Sequence, residues 1–97
     1  EFSALPAEAF AEMGAVVRDI ERVLKAAFSY DKINYMMLMM VDPNVHFHVI
    51  PRYAEPRSVC GLTLKDPGWP VLPQLGNARQ VNPTEREALI QYIAGHW

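Results

Sequence analysis

An α+β domain is what this sequence predicts, and three observations carry the prediction. Apolar residues recur at spacings of three and four through the first quarter of the chain. Two strand-like stretches follow on either side of an Asp-Pro turn, and a short helical segment with its own start signal closes the sequence. With 97 residues, 51% hydrophobic and 21% charged, the composition is that of one small globular domain, and residues 1–97 are read as that single domain.

Composition also excludes functions. A net charge of −2 argues against a nucleic-acid-binding surface, which needs a basic excess or stripe. The longest apolar run, residues 36–41, is far short of the ~20 residues that cross a bilayer, so no membrane association is expected. A lone cysteine, Cys60, makes no internal disulfide and points to a reducing, cytoplasmic setting.

The elements follow in order. Pro6 suits a first helical position, and Phe10, Met13, Val17, Ile20, Leu24 and Ala27 form one stripe over five to six turns. Arg18, Asp19, Glu21, Arg22 and Lys25 occupy the other side as a solvated face, with Glu21 and Lys25 in the favourable i,i+4 order. Residues 29–32 end the helix. Residues 33–40, apolar apart from Asn34, read as a strand covered on both faces. Asp42 and Pro43 turn the chain back, antiparallel, into a second strand.

Residues 54–83 are a proline-rich surface segment, since six of the eight prolines lie between Pro51 and Pro83. Within it, residues 61–65 read as a short edge strand, and Trp69, Leu72 and Leu75 as the residues that pin it down. Thr84 and Glu87 have capping-box spacing at the start of a last helix buried through Leu89, Ile90, Tyr92 and Ile93. His96 is expected in solvent.

The second strand carries the chemistry. From Asn44 the residues alternate Asn, Val, His, Phe, His, Val, so Asn44, His46 and His48 share one face and Val45, Phe47 and Val49 the other. Two imidazoles in register behind an apolar face suit phosphoryl chemistry, a metal site or a buried polar pair. A metal needs three or four ligands, and no Glu follows at the spacing that would complete a His-x-His site. Met36, Met37, Met39 and Met40 suggest soft-metal binding, but on a strand they alternate between two faces and do not converge.

The string Asn-Val-His-Phe-His-Val-Ile-Pro-Arg from Asn44 to Arg52 resembles the signature of the histidine-triad (HIT) family, with the helix and strand before it in matching order. The chain departs from that signature at Asn44, where the first histidine stands, and at Met40, near which many members carry Gln or Ser. The resemblance implies a HIT-like antiparallel sheet with a long packed helix and a short C-terminal helix. In the family that helix is preceded by several strands, so the chain is expected to open part-way through the domain or to borrow strands from a neighbour.

The implied activity is hydrolysis or transfer on a nucleoside phosphate derivative, a dinucleoside polyphosphate or a nucleoside phosphoramidate. His46 would be the nucleophile that forms a nucleotidyl-histidine, His48 the phosphate ligand and proton donor, and Asn44 the orienting residue. A purine nucleotide, no cofactor, no metal and a homodimer with a shared sheet complete the expectation. The alternatives are a nucleotide-binding or dimerisation module without turnover and, less favoured, a His-x-His metal site.

Overall fold

The computed structural model describes residues 2–37, 44–76 and 80–97. After a single 3-10 turn at Phe2–Ala4, helix α1 runs from Ala7 to Phe28. It ends because Ser29 adopts the left-handed conformation (φ 50°) and returns its N–H to the Lys25 carbonyl at 2.9 Å, satisfying one of the acceptors a helix leaves open. The charged side is not wholly solvated, and the Glu21–Lys25 pair is replaced. Lys25 reaches over the Tyr30 ring to the Tyr30 carbonyl, while Glu21 Oε2 accepts the Tyr35 hydroxyl at 2.6 Å and ties the helix to the first strand.

Strands β1 (Lys32–Met36) and β2 (His48–Arg52) form an antiparallel pair with Asn34 opposite Ile50, Tyr35 opposite Val49 and Met36 opposite His48. Ile33, Tyr35, Val49 and Pro51 therefore share one face, turned towards α1, and Asn34, Met36, His48 and Ile50 share the other. Contrary to expectation, β1 is not buried on both sides. Lys32 and Tyr35 are exposed and the other three half-buried. The cover on the α1 side is incomplete, leaving an apolar cavity of about 260 Å³ between Met13, Val17 and Ile20 of the helix and Phe47 and Val49 of the hairpin. The Asp42–Pro43 turn lies outside the described residues.

The core sits at the other end of α1. Ala27 and Phe28 pack with Tyr53 and Val59, joined by the half-buried Leu24, Tyr30, Leu64, Leu89, Tyr92 and Ile93. Val23, fully buried, and Phe28 were not part of the expected stripe, whose outer member Phe10 is exposed. The edge strand proves to be half of a second hairpin, β3 (Arg57–Val59) with β4 (Leu62–Leu64), closed by Cys60 (φ 52°) and Gly61 (φ 76°). Positive φ at both central residues matches the right-handed twist of the flanking strands. Leu72 and Leu75 do not anchor the segment that follows, for both are exposed while Trp69 is half-buried.

Helix α2 spans Pro83–Ala94. Its capping box falls two residues before the expected one. Asn82 Oδ1 accepts the Glu85 N–H at 2.7 Å, and Glu85 Oε1 accepts the Asn82 N–H at 3.0 Å, because Pro83 takes the first helical position. Leu89, Tyr92 and Ile93 face the core, whereas Ile90 is exposed. Tyr92 caps α1 through its hydroxyl on the Ala27 carbonyl (2.6 Å), and His96 is half-buried against the Tyr92 ring instead of solvated. Asn82→Ala is expected to cost about 1 kcal/mol by removing the box, seen as a shift of the denaturant midpoint with the slope unchanged.

Candidate functional site

Strand β2 begins at His48, so Asn44 and His46 precede the ladder instead of lying within it as expected. The reason is pairing. The last register pair is Met36 with His48, and residues 38–43, Met40 included, are outside the described part. Side-chain alternation nevertheless continues upstream of the strand. Phe47 turns to the α1 side, where it meets Phe2 edge-on at 6.3 Å, while the His46 and His48 rings stand edge-to-face with centroids 5.2 Å apart.

His46 is half-buried and His48 exposed. His46 Nδ1 lies 2.7 Å from the Asn44 carbonyl oxygen. A carbonyl only accepts, so Nδ1 carries a hydrogen, and in the neutral ring the lone pair falls on Nε2. The backbone of Asn44 thus sets the tautomer of the neutral ring. This was not legible in the sequence, because it depends on how the chain bends between residues 44 and 46.

Arg52, on the histidine face by parity, is turned to structural use. The residue is 4% exposed, with Nε 2.6 Å from Asp66 Oδ2, Nη1 on Asn34 Oδ1, and Nη2 on the Val71 carbonyl (2.6 Å) and Asp66 Oδ1 (3.3 Å). Burial pushes the Asp66 carboxyl up, but hydrogen bonds from Arg52 and from the backbone N–H groups of Tyr53 and Gly68, with the Arg52 charge, outweigh it and hold the group below the usual carboxylate range. Arg57 pairs with Asp31 at 3.1 Å, donates to the Ser29 and Glu55 carbonyls, and lies over the Tyr53 ring.

Among the described residues no group of three or more His, Cys, Asp or Glu side chains is set to hold a metal ion. No described helix is long and apolar enough to cross a membrane. Searches of curated protein sequences and of solved structures return no significant match. A profile of the HIT domain matches residues 1–55, which is more than half of the chain and takes in α1, both strands of the first hairpin and the paired imidazoles. The chain therefore belongs to the HIT-domain family, a family of nucleotide-binding proteins.

Proposed function

We propose that this protein hydrolyses a nucleoside phosphate derivative, a nucleoside phosphoramidate or a dinucleoside polyphosphate, through a nucleotide carried on His46. The observation that supports this most is the His46 ring itself, held through Nδ1 by the Asn44 carbonyl with His48 beside it. In the first step the Nε2 lone pair attacks the α-phosphorus. The bond from phosphorus to the leaving nitrogen or oxygen breaks, and the departing electron pair takes a proton from His48. The nucleotidyl-imidazolium so formed still donates Nδ1–H to Asn44, which steadies its positive charge. In the second step water attacks phosphorus and gives a proton to His48, and the electron pair of the P–N bond returns to Nε2. One water is consumed and a mononucleotide is released.

Asn44 acts in this scheme as the orienting residue through its backbone. A two-stranded hairpin is marginal alone, and we infer that the functional unit is a homodimer whose sheet continues across the interface. The test is to incubate the protein with adenosine 5′-phosphoramidate and with diadenosine tetraphosphate, quench in acid, and look for AMP and for a nucleotidyl adduct on His46 by mass spectrometry. AMP with the adduct is the expected result. Binding of AMP without product from either compound would favour the non-hydrolytic module instead.

A further inference from the structure

The segment that carries His46 needs support from outside the strand ladder. The last register pair of the first hairpin is Met36 with His48, so Asn44 to Phe47 run ahead of it. The bond between His46 Nδ1 and the Asn44 carbonyl joins two residues of that same segment. It fixes the ring relative to the segment and leaves the placing of the segment on the protein to other contacts. Phe47, between the two imidazoles, turns to the opposite side, towards α1.

Phe47 meets a pair of aromatic rings there. Phe2 stands edge-on to Phe47 with centroids 6.3 Å apart and edge-on to Phe10 at 5.6 Å, the arrangement that ring quadrupoles favour. Phe10 lies on α1, and the turn that carries Phe2 is closed by the Leu5 N–H on the Phe2 carbonyl at 3.3 Å. The helix is thus linked through Phe10 and Phe2 to the residue between the two histidines. Beneath Phe47 the packing is incomplete, since its ring borders the apolar cavity of about 260 Å³ shared with Met13, Val17 and Ile20. Without Phe2, that space would let the Phe47 ring swing inwards and the backbone on either side follow it.

We infer that Phe2 is a positioning residue for His46, fixing Phe47 and through it the bend that sets the His46 ring on the Asn44 carbonyl. Its kinetic consequence rests on the hydrolytic reading of His46, and its structural one on the geometry alone. Nucleophilic attack needs the reacting atoms about 3–3.5 Å apart and aligned, and a misplacement of about 1 Å costs about 10²-fold in rate. Phe2, Phe10 and Phe47 are exposed and lie outside the core around Ala27 and Phe28, so loss of the Phe2 ring shifts the histidines without unfolding the chain.

The test replaces Phe2 in the intact protein by Ala and by Tyr, the second keeping the ring. For Phe2→Ala, kcat on adenosine 5′-phosphoramidate should fall about 10²-fold with KM within about twofold, and Phe2→Tyr should restore it. Heteronuclear NMR of the His46 ring nitrogens at about pH 9, where a free imidazole is neutral, reads the positioning directly. The unaltered protein and Phe2→Tyr should show the hydrogen on Nδ1, and Phe2→Ala a mixture of the two tautomers. A His46 spectrum unchanged in Phe2→Ala would overturn the assignment, as would a kcat within about twofold of the unaltered protein, or a Phe2→Tyr protein as impaired as Phe2→Ala. If the unaltered protein turns nothing over, the hydrolytic reading fails and the spectra alone decide. A mixture confined to Phe2→Ala then upholds the role of Phe2, and any other pattern rejects it.

Discussion

His46→Ala is expected to bind nucleotide and not turn it over, with kcat lowered by about 10⁴-fold or more, because it removes the nucleophile and with it the covalent step. His48 offers no replacement in this scheme, since its proton is needed at the leaving atom. His48→Ala should cost less, about 10²- to 10⁴-fold, and least for leaving groups that depart without protonation. Structural collapse is not the expected cause. His46 is half-buried outside the main core, and among the described residues its side chain bonds the Asn44 carbonyl. Single-turnover kinetics, with the thermal midpoint as control, check this. A His46→Ala protein that keeps activity within tenfold would rule out the nucleotidyl-histidine.

Features that depend on near neighbours along the chain were legible. The α1 stripe, the end of that helix near Ser29, and the placing of His46 and His48 on one side with Phe47 on the other all follow from periods of 3.6 and 2. The α2 start was displaced by two residues because Pro83 prefers the first helical position and makes Asn82 the cap, a competition that the Thr84 and Glu87 spacing conceals.

The second hairpin was only half visible. Its strands have three residues each, and its turn uses Cys60, not the Asn or Asp usual before Gly, at a positive φ. The partners of Arg52 were invisible for another reason. Asp66 and Val71 meet it across 14 and 19 residues, and no periodic pattern encodes such a choice. The same holds for the core. Residues 1–55 carry the family match, yet Val59, Leu64, Leu89, Tyr92 and Ile93, which bury the end of α1, all lie beyond it.

The largest effect on stability is expected from Asp66→Ala. The Arg52 and Asp66 side chains are 5% and 8% exposed and meet at 2.6 Å, and Asp66 also accepts from Tyr53 and Gly68. Removing the carboxylate leaves a buried guanidinium with Asn34 and Val71 as its acceptors among the described residues, a change that costs about 3–5 kcal/mol. Against a total stability of about 5–15 kcal/mol, that lowers the thermal midpoint by more than about 12 °C. The pH dependence has a definite sign. Because the folded protein holds the Asp66 pKa below its ordinary value, its stabilisation is present above that ordinary value and is lost as pH falls through the lower, folded-state one. Asp66→Ala should therefore flatten the acid limb of stability against pH.

Replacing both partners, as Arg52→Met with Asp66→Leu, should recover much of the loss, since the penalty belongs to the unpaired charge and not to the absence of the pair. The double variant would still lack the bond from Arg52 to the Val71 carbonyl. Recovered stability would show that the cost of Asp66→Ala lies in the uncompensated Arg52 charge. An Asp66→Ala protein within about 1 kcal/mol of the original would instead mean that the ion pair is replaceable by water.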